Sequence, residues 1–153
     1  MNLNLNLRKE RKIKKMKKIL ICGLPGSGKS YLAEPLAEEL GGVWINADQV
    51  REYYDDWDFS DEGRMRQAMR MKYLADGVTR AGKYAITDFV CPFEKARVDF
   101  GADYLVWMDT IKEGRFEDTN KIFETPEVVD HIVHTWLPDT HVSMARVIKA
   151  KYE

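Results

Sequence analysis

The chain has 153 residues, 44% of them hydrophobic and 32% charged, which suits one domain and excludes a second folded core. Its formal charge is −1, yet residues 1–18 carry eight basic side chains against one acid, Glu10, so the remainder is acidic. No apolar run approaches the roughly 18–20 residues of a membrane span, and no signal-peptide core follows the basic cluster. With only two cysteines, Cys22 and Cys91, the expectation is a soluble chain in a reducing, cytoplasmic compartment.

The first 17 residues read as a tail. Asn2–Leu7 alternates asparagine and leucine, and Arg8–Lys18 is dominated by lysine and arginine. Two readings stand: a solvated, frayed extension, or a basic arm for a polyanion such as nucleic acid, which is the less favoured. The body is expected over 18–153. Ile19–Cys22 is a short apolar strand that runs into a glycine loop. Residues 29–40 have helical spacing, with Leu32, Leu36, Ala37 and Leu40 on one face and Gly41-Gly42 as the stop. Strands follow at 43–45, 84–87, 104–108 and 131–134, with a long helix at 61–81 and a closing helix around Met144, Val147 and Ile148. Strands separated by helical crossovers predict an α/β fold of three layers, a five-stranded parallel sheet flanked by helices.

Gly23-Leu24-Pro25-Gly26-Ser27-Gly28-Lys29-Ser30 fits the pattern Gly, four residues, Gly-Lys-Ser, between an apolar strand and an amphipathic helix. The glycines let backbone N–H groups turn toward phosphate oxygens, and the helix start adds its positive dipole end. Lys29 supplies a cation for the β- and γ-phosphates, and Ser30 a hydroxyl for Mg²⁺. The expected ligand is ATP with Mg²⁺. One domain leaves no room for motor or helicase modules, so a small phosphotransferase is favoured, with the fold of a P-loop kinase.

Such an enzyme needs a group to orient or deprotonate the acceptor hydroxyl and cations for an anionic acceptor. Asp48, past the second strand, reads as that carboxylate or as a Mg²⁺ partner; capping a helix is the plain alternative. Arg51, one helical turn on, reads as an acceptor clamp or a surface ion pair. Asp88, at the end of the third strand, reads as a Mg²⁺-assisting acid or a cap.

These stretches together resemble the adenylylsulfate (APS) kinases. The resemblance rests on the Gly23–Ser30 loop, Asn46–Arg51, Thr87–Phe93 with Lys95 and Arg97, and Ile111-Lys112 followed by Phe116–Glu127. It implies transfer from ATP to the 3′-hydroxyl of adenosine 5′-phosphosulfate, a role in sulfate assimilation, and a possible homodimer. By resemblance, Asp48 lies at the magnesium and acceptor site and serves catalysis with Lys29 of the loop, Arg51 contacts the acceptor's phosphosulfate, and Arg70 also binds the acceptor. Phe89 and Phe116 sandwich the acceptor adenine, Val90 and Pro92 line it, and Lys112 lies on the acceptor side. The sequence departs from the pattern in four places, one of them Phe116–Asn120, where two acceptor-loop identities are lost. Asn46-Ala47 replaces an Asp-Gly before Asp48, Asp88 replaces a serine, and Asp109-Thr110 runs almost directly into Ile111–Arg115 where a basic lid of about 20 residues is usual. A kinase for another small acceptor or a polynucleotide end, and a non-catalytic nucleotide-binding module, are the alternatives.

The remaining residue types say less. His131, His134 and His141 lack companions at metal-ligand spacing. Cys22 and Cys91 read as buried, inert thiols. The Tyr53–Phe59 cluster reads as a mobile acceptor-side wall or as a loop packed by its own aromatics. Trp136–Asp139 finds no assignment.

Overall fold

The computed structural model describes residues 14–153. Most of the expected basic tail, residues 1–13, lies outside the described residues. Met16 and Lys17 are tied to the body. The Met16 N–H donates to the Thr79 carbonyl at 3.0 Å, and the Lys17 carbonyl accepts from the Ala85 N–H at 3.2 Å.

Five strands, β1 (Lys18–Cys22), β2 (Val43–Asn46), β3 (Ala85–Asp88), β4 (Tyr104–Met108) and β5 (His131–Val133), pair in parallel in the order β2-β3-β1-β4-β5. Helices α1 (Lys29–Leu40), α2 (Ala47–Tyr54), α3 (Asp61–Arg80), α4 (Glu94–Phe100), α5 (Glu117–Ile122) and α6 (Thr140–Tyr152) flank them. The expected α/β architecture is the observed one. No described helix is long and apolar enough to cross a membrane.

β1 lies in the middle of the sheet and is buried throughout, so its side chains build both halves of the core. Ile19 and Ile21 pack with Leu36 of α1 and with Met144 and Ile148 of α6. Leu20 and Cys22 face the other way, onto Met71 and Ala75 of α3 and Phe100 of α4. Each large apolar side chain so enclosed contributes about 1.5–3 kcal/mol. That is the three-layer sandwich.

The differences from expectation are local. β3 runs one residue further, to Asp88, and β5 stops at Val133. Helices α2, α4 and α5, of 8, 7 and 6 residues, are not individually legible in the sequence. Two turns or fewer are too short to display a 3.6-residue period, and tertiary contacts hold them. One such contact is Arg97 of α4, 5% exposed, whose guanidinium donates to the Cys91 carbonyl at 3.0 Å and to the Glu124 carbonyl. It ties the segment after β3 to the segment after α5.

Because β3 and β4 flank β1 on opposite sides, a crevice opens at the carboxyl ends of the strands. Cys22, the last residue of β1, is sealed beneath that crevice. Burial pushes its thiol up to about 11, and burial likewise holds Cys91 well above the ordinary thiol value. Neither thiolate forms near neutrality. Iodoacetamide at about pH 8 should therefore leave both cysteines unmodified in the folded chain and label both in denaturant. Labelling of the folded chain at the free-cysteine rate would contradict the packing described.

Candidate active site

The phosphate loop connects β1 to α1, and its shape depends on glycine at two contact points. Gly28 has φ +101°, and a methyl group there would run into the Trp136 ring, which lies against the loop. Gly23 approaches β4 so closely that a Cβ would sit 2.8 Å from the Met108 carbonyl oxygen. The buried Ser27 hydroxyl has no hydrogen-bond partner among the described residues. Lys29 Nζ rests on the Leu24 carbonyl at 3.0 Å, closing the loop around a cation. Burial lowers the Lys29 pKa, and the Asp88 carboxylate opposes that shift.

Asp88 is 2% exposed and is held by three neighbours. The Trp44 indole N–H donates to Oδ2, Asn46 Nδ2 donates to Oδ1 at 3.1 Å, and Ser30 Oγ donates to Oδ1 at 3.2 Å. Asn46 also reaches Ser30 Oγ at 3.2 Å, while its Oδ1 accepts from the Gln49 N–H and caps α2. Burial pushes the Asp88 carboxyl up, and the Trp44 and Asn46 hydrogen bonds pull it back. Asp48 stands exposed in the first turn of α2.

The donor set fits nucleotide-bound Mg²⁺. Such an ion takes one or two protein oxygens and completes its shell with phosphate and water, so a large carboxylate cage is not required. Ser30 Oγ and Asp88 Oδ1 are hard oxygens side by side at the amino end of α1. Among the described residues no cluster of three or more His, Cys, Asp or Glu could hold a metal by itself.

The residues expected at the acceptor differ in kind. Arg51 is 5% exposed, donates through Nη1 to the carbonyls of Asp56 (3.0 Å) and Asp58 (3.1 Å), and lies 4.2 Å from the Phe59 ring centre. Arg70 pairs with Asp56 Oδ2 at 2.6 Å, and Arg66 grips both Asp56 oxygens at 2.7 and 3.2 Å. These arginines are engaged by the α2–α3 turn itself. Phe89 is 6% exposed and packs edge-on against Phe100, 5.7 Å between ring centres. Phe116, by contrast, is exposed at the start of α5 under Arg115. Val90 is half-buried and Pro92 buried beside the Arg97 tie; Lys112 is exposed and 3.5 Å from Asp109. The structure thus gathers Lys29, Ser30, Asp88 and the glycine loop, and leaves Phe89 in the core rather than facing Phe116.

Trp44, Asn46 and Trp136 are site residues that the sequence reading did not assign. Only Asn46 carried a signal, as an asparagine one residue before a helix.

Residues 19–121 match the AAA domain family. The chain belongs to it. Among curated proteins it resembles an adenylyl-sulfate kinase of Bacillus licheniformis, 35% identical over 85 residues, covering 52% of this chain and 43% of that protein. It also resembles a tRNA dimethylallyltransferase of Citrifermentans bemidjiense, 55% identical over 42 residues, covering 28% and 14%. The chain spans less than half of the length of the curated relatives it matches. Solved structures share the fold at low identity. The crystal structure of APE1195 superposes with TM-score 0.77, 22% identity and coverage of 92% and 98%. The Mycobacterium tuberculosis APS kinase CysC, in complex with AMPPNP and APS, gives 0.69, 19%, and 89% and 96%. A shikimate kinase from Acinetobacter baumannii, with shikimate, gives 0.61, 17%, and 90% and 96%. The AAA domain family member thus has a P-loop kinase-like fold, which implies nucleotide binding.

The acidic turn has its own pH signature. Arg66 and then Arg70 hold the Asp56 carboxyl well below the usual carboxylate range. A depressed pKa gives stability that is present above the unfolded value, about 3.9, and lost as pH falls below it. Acidification from about pH 6 to about pH 2 should loosen the α2–α3 turn, read through Trp57 emission. In Asp56→Asn most of that step should already be missing at pH 6; an unchanged titration would show that the arginine pairing does not hold the turn.

Proposed function

We propose that the chain is an ATP-dependent phosphotransferase that moves the γ-phosphoryl group to the hydroxyl of a small acceptor. The observation that carries this is the meeting of the Lys29–Ser30 loop with a buried, triply held Asp88 at one point of the crevice. Bound Mg²⁺ would neutralise charge between the β- and γ-phosphates. Lys29, released from the Leu24 carbonyl, donates to phosphate oxygens instead. Ser30 Oγ and Asp88 provide the oxygens on the metal side, and Trp44 with Asn46 keep the carboxylate turned toward Ser30. Asp48 orients the acceptor hydroxyl and accepts its proton.

On the α1–α6 face a cavity of about 350 Å³ lies beside the loop, lined by Tyr31, Leu32, Pro35, Trp136 and Pro138 among others. Its apolar walls suit a nucleobase, with the Trp136 ring, 5.0 Å from that of Tyr31, as the stacking surface.

The order of motifs and the 35% identity to an adenylyl-sulfate kinase support adenosine 5′-phosphosulfate as the acceptor to try first. A second reading, an acceptor without a phosphosulfate, has a specific observation behind it. Asp56 already neutralises Arg66 and Arg70, and backbone carbonyls already engage Arg51.

Removing the loop cation tests the core of the proposal. Lys29→Ala should reduce ATP-dependent transfer by about 10²-fold or more, and Ser30→Ala should raise the Mg²⁺ requirement. Transfer of labelled γ-phosphate to adenosine 5′-phosphosulfate separates the two acceptor readings. Nucleotide binding without transfer to any acceptor would leave a binding module and remove the kinase.

A further inference from the structure

A second cavity, of about 230 Å³, opens on the other side of the phosphate loop. Leu24, Trp107, Asp109, Lys112, Phe123 and Thr125 line it. Met108 borders both this cavity and the nucleobase cavity, and its carbonyl oxygen faces Gly23. The two spaces thus share Met108 of β4, and the second has a phosphate-loop residue, Leu24, in its wall.

The wall of the second cavity is tied down. The Thr110 hydroxyl donates to the Ser27 carbonyl at 2.6 Å, fixing one end of the β4–α5 connection to the phosphate loop. At the other end Asn120 donates to the Gly114 carbonyl at 2.9 Å and accepts from the Gly114 N–H at 2.8 Å. Gly114 itself lies against Pro25, where a Cβ would come within 3.0 Å of the carbonyl oxygen. This is a strap, not a swinging arm.

We infer that this cavity is the acceptor site and that it takes a polyhydroxylated molecule of monosaccharide size, one hydroxyl directed at the phosphate loop. The inference rests on the phosphotransferase reading above and narrows its acceptor. Size comes first. At about 230 Å³ the cavity can seat a ring of monosaccharide size, and a nucleoside phosphosulfate would extend beyond it past the exposed Lys112 and Thr125. The lining comes second. Trp107 and Phe123 supply aromatic wall and Thr125 a hydroxyl, while Asp109 and Lys112, 3.5 Å apart, keep further oxygens and N–H groups for ligand hydroxyls. Arg51, Arg66 and Arg70 are spent on the α2–α3 turn, and Phe89 is packed against Phe100, so neither a clamp for an acceptor anion nor a base sandwich stands ready.

The test is a panel of monosaccharides, sugar acids and linear polyols beside adenosine 5′-phosphosulfate, read by transfer of labelled γ-phosphate. Binding of the same compounds is followed in parallel through Trp107 emission, with Trp107→Phe as the blank. At least one polyol should accept phosphate and change the Trp107 signal. Thr125→Val should raise the acceptor KM about five- to tenfold with nucleotide affinity unchanged, as expected for one lost hydrogen bond. If Thr125→Val proves unstable, Lys112→Ala, at an exposed position, provides the same comparison. Efficient transfer to adenosine 5′-phosphosulfate with no polyol accepted or bound would overturn the inference and leave the phosphotransferase intact. Loss of transfer to every compound would instead strike the phosphotransferase reading. Polyol binding at Trp107 would then still decide the cavity's ligand, its absence counting against the inference.

Discussion

Burying one carboxylate sets most of this site. A carboxylate at 2% exposure is costly unless donors replace its water, and Asp88 has three, Trp44, Asn46 and Ser30. Sheet register delivers them. Asp88 of β3 lies opposite Asn46 of β2 and Ile21 of β1, so the amide is lateral and the phosphate loop begins two residues beyond Ile21. Two residues back on β2, Trp44 lies opposite Ile86 and its indole reaches forward to the same carboxylate. The strand order therefore has a chemical consequence: β3 must separate β2 from β1 for Asp88 to be shared between them.

The remaining charge of the crevice is partitioned by face. On the α1–α6 side the space beside the loop is bounded by aromatic and aliphatic groups, Tyr31, Trp136 and Pro138, with Glu34, Glu38 and His141 also in its lining and no arginine or lysine. On the other side, carboxylates and guanidiniums occur in numbers but cancel within the α2–α3 turn. Asp56 satisfies two arginines at once, and the turn's carbonyls satisfy a third. A guanidinium already in a bidentate pair gains little by exchanging that carboxylate for a ligand anion, because the geometry of the bonds is the same. The number of arginines near a site is a poor measure of its positive charge; their existing partners are what matter.

This explains which parts of the site were legible in the sequence. The glycine loop, Lys29 and Ser30 are a local pattern whose meaning is fixed within eight residues, and the five strands were visible as short apolar runs. Asp88 was readable as a carboxylate at a strand end. Its holder Trp44 was not, because the indole joins it only through the β2–β3 register. Arg51 and Arg70 have the residue type of anion clamps, yet Asp56 meets them only because Asp55 adopts φ +49° and turns the chain back over α2 and α3. Phe89 follows Asp88 directly and so faces the opposite side of the sheet edge, into the α3–α4 half of the core. Trp136 had no pattern at all; its role depends on a loop from β5 crossing to Gly28, more than a hundred residues away in sequence.

The shortness of the β4–α5 connection and the size of the second cavity are one constraint seen twice. A kinase that closes a long arm over its ligands excludes water by motion and tolerates a large acceptor, since the arm conforms to it. Here the connection is bonded to Ser27 at one end and to Asn120 at the other, and Trp136 already covers Gly28. Water must be excluded by fixed walls and by the ligand's own fit. At the proposed acceptor site, fixed walls favour a ligand that fits against them, and any lengthening of the strap that freed it from Ser27 would loosen that fit.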